Sequence, residues 1–125
     1  MANFGVTEQP AGVVLDLTTP RLSRELAELE ERLHVLRGLL DALGRLPEVN
    51  QTIQFASDRS AALAALQHEP FGYSHRQAQA IIDMPMSWQS FDEADRLRQE
   101  RDRLVARQAS LRERVSEVLA LHWFG

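Results

Sequence analysis

The chain has 125 residues, 44% of them hydrophobic and 26% charged, and this length and composition predict a single globular domain. All 14 basic residues are arginine and the net charge is −4, which disfavours a general nucleic-acid binder. The absence of cysteine excludes disulfides, thiolate nucleophiles and zinc–sulfur sites. Because the sequence shows neither a signal-peptide pattern nor an apolar stretch long enough to span a membrane, we expect a cytoplasmic protein.

A leucine ladder with alternating spacings of four and three residues dominates the first part of the chain. Its members are Leu22, Leu26, Leu29, Leu33, Leu36, Leu40 and Leu43. This heptad pattern is typical of the apolar seam of a coiled coil. Thr19 and Pro20 suit the start of a helix, and Gly44 and Pro47 suit its end. We therefore predict an arm helix over residues 20–46, preceded by a flexible tail at residues 1–19.

The middle of the chain, residues 47–90, has the pattern of a small helical head. Short helices are predicted over residues 48–55, 59–67 and 75–84. Asp58 suits the N-cap of the second of these helices. Ser74 and Gln77 form a capping-box pattern at the start of the third, and Pro85 ends it.

A second ladder with the same alternation occupies the end of the chain. Its members are Ala94, Leu97, Arg101, Leu104, Gln108, Leu111, Val115, Val118 and His122. The pattern from Ser90 to Glu93 is another capping box, which predicts an arm helix over residues 91–119 and leaves an aromatic tail at residues 120–125. Arg101 and Gln108 at seam positions either fix the register of the helices or lie at a solvated edge, and both interpretations remain open.

These elements predict an all-α fold in which two long helices form an antiparallel coiled-coil arm capped by the head. Two separate parallel zippers would also satisfy the heptads, but they would leave the head strung between them. The antiparallel arm is the more economical arrangement, because the residues between the ladders exceed a simple turn and fall short of an independent domain.

Two stretches of this sequence resemble the coiled-coil and exit-gate region of the A subunit of DNA gyrase and topoisomerase IV. Residues 34–43 match the family pattern H-x-L-x-G-L-L-x-A-L, and Glu48 and Val49 follow it. Residues 71–84, FGYSHRQAQAIIDM, are similar to F-G-L-S-x-x-Q-A-x-A-I-L-D-M. The resemblance covers roughly residues 30–105, so residues 20–119 are interpreted as a gyrase-A-like coiled-coil and gate domain.

The resemblance implies a two-fold dimer made through the heads, the contact that serves as the DNA exit gate in the enzyme family. We predict that the head contributes Phe71, Tyr73, Gln77, Ala78, Ile81, Met84, Met86 and Trp88 to this dimer interface. Met84, Met86 and Trp88 could instead be core residues, but a head this small has little interior. Gly38 is either a tolerated helix residue or the site of a close approach by the returning helix, and the family match favours the close approach.

The chain also departs from the family in ways that bear on catalysis. Tyr73, the single tyrosine, lies where the family has a hydrophobic residue, so it does not inherit the DNA-bonding tyrosine role. The residues after Met84 replace a basic–hydrophobic stretch of the family with Pro85 to Glu93. The four histidines, His34, His68, His75 and His122, have no metal-ligand spacing. We therefore predict no enzymatic activity, no metal and no cofactor.

Two functions follow as hypotheses from different classes. The first is a non-catalytic homodimeric scaffold or adaptor, with partner proteins held by the arms or by a docking tail containing Trp123 and Phe124. The second is a regulator of DNA topology, associated with the nucleoid, that binds the gyrase A subunit or contacts DNA weakly through arm arginines such as Arg96, Arg103 and Arg107. Co-purification with gyrase A distinguishes the second hypothesis from the first.

Overall fold

The computed structural model describes the main chain of residues 9–124 and the side chains of residues 20–121. Its elements, in chain order, are α1 Gln9–Gly44, α2 Leu46–Phe55, α3 Arg59–Gln67, α4 His75–Ile82, a short 3-10 helix at Met86–Gln89, and α5 Phe91–Phe124. The predicted all-α fold class is confirmed for the residues that the structure describes. The helices within this range include none long and apolar enough to cross a bilayer.

The two shorter helices of the head begin at the caps that the sequence predicts. The Asp58 carboxylate accepts a hydrogen bond of 2.8 Å from the amide of Ala61, and α3 begins at the following residue. At α4 the capping box is complete, since Ser74 accepts from the amide of Gln77 while Gln77 accepts from the amide of Ser74. Helix α4 ends at Ile82, two residues earlier than predicted, because Asp83 takes the C-cap position.

The start of α1 differs from the prediction. The helix begins at Gln9, and Pro20 lies inside it rather than at its first turn. A proline in a helix lacks its own amide hydrogen and crowds the carbonyl four residues back, so a continuing helix loses one hydrogen bond there. The predicted tail at residues 1–19 therefore contains helical residues from Gln9 onward, and residues 1–8 lie outside the described residues.

The end of α5 also differs from the prediction, because the helix continues to Phe124 instead of ending near residue 119. The predicted aromatic tail is thus helical in its main chain up to Phe124. The side chains of Trp123 and Phe124, proposed from the sequence as a docking site, lie outside the described side chains.

The chain divides into two compact units. We call residues Glu31–Arg103 the central unit, and Met1–Glu30 together with Leu104–Gly125 the terminal unit. Helices α1 and α5 contribute residues to both. The core of the central unit consists of Leu39, Ala42, Val49, Leu66, Tyr73, Ala78 and Ile81. These residues come from α1, from each of the three short helices and from the segment before α4, so the central unit has an apolar interior of its own.

Candidate interaction surfaces of the central unit

A compact set of hydrogen bonds joins the start of α4 to α1. The Nε2 atom of His34 lies 2.7 Å from the hydroxyl oxygen of Ser74, and the side-chain amide of Gln77 donates to the carbonyl oxygen of His34 at 2.8 Å. The other end of the Gln77 side chain accepts from the amide of Ser74 at 3.0 Å. The two residues that cap α4 therefore also attach it to α1.

Gly38 lies directly against this contact. A Cβ atom placed on Gly38 would lie 2.6 Å from Cγ and 2.8 Å from Cβ of Gln77, closer than side chains approach one another. The sequence predicts a close approach at this glycine, and the structure shows one. The predicted partner is wrong, however, because the group that approaches belongs to α4 and not to the returning helix α5.

Tyr73 is the centre of a second cluster on the central unit. Its hydroxyl donates to a carboxylate oxygen of Asp41 at 2.7 Å, and its ring stacks on Phe71 with centroids 5.6 Å apart. Arg45 forms an ion pair with the same carboxylate at 3.2 Å and lies over the Phe71 ring at 5.2 Å. Burial and the hydrogen bond to Asp41 raise the pKa of Tyr73, so its phenol stays protonated at alkaline pH values at which a free tyrosine ionises.

The residues predicted for a dimer interface fall into three groups by exposure. Tyr73, Ala78 and Ile81 are buried in the core of the central unit, so they have little surface to offer a second copy. These three residues therefore belong to the core of the central unit and not to an exposed face. The half-buried members are Phe71, Gln77, Met84 and Trp88, and of these Phe71, Met84 and Trp88 pack against the same core. Met86 stays 79% exposed.

Two large apolar side chains that the predicted interface omits are as exposed as Met86. Phe55, at the end of α2, is 79% exposed, and Phe91, at the start of α5, is 77% exposed. Large apolar side chains this exposed are informative when they border a common surface. The sequence signal for them is a local lack of charge, since residues 49–57 and 84–91 contain no charged side chain.

A cleft of about 400 Å³ lies between α2 and the 3-10 helix. It is lined by Asn50, Ile53, Gln54, Met86 and Gln89. Its walls are thus two apolar and three uncharged amide side chains, which favour contact with another protein surface over the binding of an ion.

A second cleft, of about 370 Å³, has a different chemistry. It is lined by Arg32, Trp88, Glu93, Arg96, Leu97, Gln99, Glu100 and Arg103. Arg32 binds Glu100 through two hydrogen bonds of 2.8 and 3.0 Å, and Arg96 pairs with Glu93 at 3.1 Å. The hydrogen bonds from Arg32 lower the pKa of Glu100, and most of the positive charge of this cleft is neutralised by its own carboxylates.

The seam positions predicted from the heptads can be followed in each unit. In the terminal unit Leu22, Leu29 and Leu111 are buried, while Leu26, Leu104, Gln108, Val115 and Val118 are half-buried. In the central unit Leu33, Leu36 and Leu97 are buried, while Leu40, Leu43 and Arg101 are half-buried. This burial follows the heptads except at Leu40 and Leu43, where the neighbouring Leu39 and Ala42 are the buried residues. The coiled-coil arm stays a prediction.

The two polar seam residues have different partners. Gln108 donates to Glu30 at 2.8 Å across two helices, whereas Arg101 binds its chain neighbour Asp102 at 3.0 Å. Glu30 also pairs with Arg112, and Glu25 with Arg107. In the terminal unit, polar and charged side chains of α1 and α5 therefore pair with one another beside the buried leucines.

Nothing in the described part of the chain assembles a metal site. Groups of three or more His, Asp or Glu side chains in metal-binding arrangement are absent among the described residues. His34 is engaged with Ser74, and Nδ1 of His75 lies 3.4 Å from the side-chain amide of Gln67. Both of these imidazoles thus have a partner in the fold.

The sequence matches the family described as the A subunit of DNA gyrase/topoisomerase IV over residues 6–123. It is 36% identical to the DNA gyrase A subunit of Synechocystis sp. over 111 residues. This aligned region is 84% of this chain and 13% of that protein. Identity to the DNA gyrase A subunit of Streptococcus pneumoniae is 38% over 105 residues, or 79% of this chain and 12% of the relative.

A third relative, the DNA gyrase A subunit of Mycoplasma pneumoniae, is 35% identical over 92 residues, which are 74% of this chain and 11% of the relative. The chain thus spans only 11 to 13% of the length of these curated relatives. Since the family match extends over nearly all of its residues, the chain belongs to the A-subunit family of DNA gyrase and topoisomerase IV, as a short all-α topoisomerase-related domain.

Proposed function

We propose that the chain is a non-catalytic, homodimeric scaffold whose head pairs two copies as the exit gate of a type IIA topoisomerase does. The observation that carries this proposal is the exposure of Phe55, Met86 and Phe91 on a unit that already has a closed core. Each of these side chains is more than three-quarters exposed. A partner that covers them removes apolar surface from water, which stabilises the complex by about 25 cal/mol per Å² of buried surface.

The state of Tyr73 supports a function without catalysis. Catalysis by a tyrosine nucleophile requires a phenol that reaches the substrate and gives up its proton. The Tyr73 phenol is instead buried and donates to Asp41, and these contacts raise its pKa. The chain spans only 11 to 13% of the length of these relatives, so their activity as whole proteins is not carried over to it.

In this proposal the arms present their outer faces, and the ends of α1 and α5, to partner proteins. The outer faces of α1 and α5 carry many charged residues, several of which pair with one another, as Glu25 does with Arg107. Such a charged surface favours solubility over self-association, so in this proposal the two copies pair through the head.

Sedimentation equilibrium of the full chain at micromolar concentration tests the proposal. We expect a species of twice the 14.2 kDa chain mass, with no change in mass between low and moderate salt, because the contact is apolar. A single species of 14.2 kDa across the concentration range would contradict it.

A second proposed function is that the chain pairs with the gyrase A subunit itself. Its support is the 36% identity over 111 residues to a DNA gyrase A subunit. Mixing tagged chain with the gyrase A subunit tests this function. Co-purification together with inhibition of supercoiling supports it, and exclusive homodimers contradict it.

Direct DNA binding has less support from the arginines proposed for it. Arg96 pairs with Glu93 and Arg107 pairs with Glu25, so two of the three candidate side chains already have carboxylate partners. A gel shift at low salt is the corresponding test, since phosphate contacts weaken steeply as salt rises.

A further inference from the structure

We propose that the cleft lined by Trp88 and α5 is the docking site of a partner protein, which it recognises by an aromatic side chain next to a carboxylate. The inference rests on the proposed function, because it names where the scaffold holds one class of partner. The cleft has a volume of about 370 Å³, and all of its lining residues lie within the central unit. Three features of the cleft support this occupant: an aromatic wall, one unmatched positive charge and the residue types that line it.

The aromatic wall is the side chain of Trp88. Trp88 is half-buried and packs against the core of the central unit, so its exposed part has a fixed support. The buried Leu97 also lines the cleft and adds apolar surface. A second aromatic ring gains more from an offset or edge-on contact with an indole than from burial alone. Trp88 lies in the stretch from Pro85 to Glu93 that departs from the family pattern, so this wall is a feature of the present chain.

One positive charge of the cleft has no carboxylate partner. Arg32 donates to both carboxylate oxygens of Glu100, and Arg96 pairs with Glu93, so these four charges cancel. Arg103 also lines the cleft, and among the described side chains it forms no ion pair. Because both oxygens of Glu100 already accept from Arg32, the guanidinium of Arg103 remains available. A guanidinium binds a carboxylate through two parallel hydrogen bonds, so a partner with one acidic side chain matches the unpaired charge.

The residue types that line the cleft favour a protein as its occupant. Tryptophan and arginine, which are enriched at the energetic centres of protein interfaces, supply four of its eight lining residues. Small-molecule sites are mostly apolar and enclose their ligand, whereas charged side chains form five of the eight here. A nucleic acid would bring a row of phosphates toward Glu93 and Glu100 on a chain of net charge −4. A peptide segment with one carboxylate beside one aromatic ring avoids this repulsion.

An NMR titration of the full chain tests the site with a capped peptide of sequence GSFDSG, which places one phenylalanine beside one aspartate. The chain has two tryptophans, so two indole N–H signals are expected, and a Trp88→Phe variant identifies the signal of Trp88. We expect the peptide to shift the Trp88 signal with a Kd of about 1 mM or lower, and to leave that of Trp123 in place. The control peptides GSFNSG and GSADSG lack the carboxylate and the ring, respectively. Each should bind about tenfold more weakly.

Arg103→Gln tests the unmatched charge without breaking an ion pair of the fold. Arg103 is exposed and glutamine is a good helix former, so circular dichroism should show unchanged helicity. We expect GSFDSG to lose about tenfold in affinity and GSFNSG to lose none, because only the first peptide offers Arg103 a carboxylate. Arg114→Gln is the matched control. Arg114 is an exposed arginine of the same helix in the terminal unit, and it forms no ion pair with a described side chain.

The inference is overturned by an unchanged Trp88 signal at about 5 mM peptide, by equal affinities for the three peptides, or by equal losses in the two arginine variants. A short DNA duplex that shifts the Trp88 signal when GSFDSG does not would also overturn it, in favour of a nucleic-acid contact. Sedimentation equilibrium of the same samples separates the inference from the proposed function. Dimers that do not bind the peptide overturn the docking site alone, whereas monomers that bind it overturn the pairing of two copies and leave the docking site standing.

Discussion

Gly38 and Gln77 touch with no space between them for a methyl group. A Cβ atom on Gly38 would lie within 2.9 Å of three side-chain carbons of Gln77, two of which are close to the main chain of α4. The missing side chain lets the start of α4 come near enough to α1 for Gln77 to donate to the carbonyl of His34. The glycine therefore sets the distance between these two helices.

Gly38→Ala is expected to destabilise the protein although alanine is the better helix former. The intrinsic gain in helix propensity is about 1 kcal/mol. Gln77 cannot move aside freely, because both ends of its amide are hydrogen-bonded, and overpacking of this kind costs about 1–3 kcal/mol. We expect a net loss of unfolding free energy, measured by urea denaturation monitored by circular dichroism.

Gly44→Ala is the matched control for this substitution. A Cβ atom there would meet nothing within 4 Å, so this variant should be neutral or slightly more stable. In a Gln77→Ala background, Gly38→Ala should cost less than in the wild type, since two of the three nearest carbons are then gone. Equal costs in the two backgrounds would show that the Gly38–Gln77 contact is not the cause.

Ser74→Ala should destabilise more than Ser90→Ala, although both serines cap helices. The Ser74 hydroxyl accepts from the amide of Gln77 and also meets His34, whereas the Ser90 hydroxyl accepts a single, longer bond of 3.3 Å from Glu93. Loss of a cap costs about 1 kcal/mol, and Ser74→Ala also leaves the half-buried His34 imidazole without this partner. Equal losses of unfolding free energy in the two variants would contradict the link between capping and docking.

Tyr73→Phe should lower stability at neutral pH by about 1–2 kcal/mol, because Asp41 loses a hydrogen bond from the phenol. The raised pKa of Tyr73 adds a pH dependence. The stabilisation is complete below the unfolded-state value of about 10 and is lost as the pH rises above it, since only the unfolded chain then releases the proton.

Alkaline titration of wild type and Tyr73→Phe measures this effect. Tyr73 is the only tyrosine, so its tyrosinate absorbance reports one group without correction. We expect the absorbance to rise only as the wild type unfolds, and the alkaline loss of stability to be smaller in the variant. Ionisation of Tyr73 in the folded protein at its ordinary pKa of about 10 would contradict its described burial.

Acid should destabilise the ion pair between Arg32 and Glu100. The pKa of Glu100 is lowered, mainly by hydrogen bonds from Arg32, so its stabilisation is present above about pH 4.3 and is lost as the pH falls through the folded-state value. Because the pair is partly exposed, its contribution is below about 1 kcal/mol.

Glu100→Gln should therefore flatten the acid limb of the stability curve by a small amount. Glu113→Gln is a suitable control, because Glu113 is exposed and forms no salt bridge with another described side chain. An identical acid limb in Glu100→Gln and wild type would show that the pair contributes nothing measurable.

Features that depend on neighbouring residues were predictable from the sequence. The carboxylate of Asp58 and the Ser74–Gln77 capping box place the starts of α3 and α4 correctly, because a cap acts over three or four residues. The Thr19–Pro20 pair is less decisive, since a proline is compatible with the first turn of a helix and is also tolerated inside a long one.

Features that depend on tertiary packing were not predictable in the same way. The heptads select Leu40 and Leu43, yet the fully buried residues there are Leu39 and Ala42, which face the core of the central unit. A straight helix of 3.6 residues per turn drifts away from a seven-residue repeat, so contact with the short helices decides which face is buried.

The candidate interface shows the same division. Tyr73, Ala78 and Ile81 occupy apolar positions of the stretch that resembles the family. An apolar residue in such a stretch can pack in the core or contact a partner, and the sequence alone does not distinguish the two. The sequence shows that Phe55 is apolar but does not predict that it is exposed. Its exposure depends on where α2 ends relative to the rest of the central unit.

The bonds made by Ser74 and Gln77 have a consequence for how the central unit moves. Both side chains cap the start of α4 and hold it to α1. Helix α4 therefore cannot separate from α1 while keeping its first turn. It also cannot lose its first turn while staying attached. Helix fraying, usually the easiest local motion of a helix, is thereby linked to separation of two elements that are far apart in the chain. Amide hydrogens at the start of α4 should accordingly exchange together with those buried near Gly38.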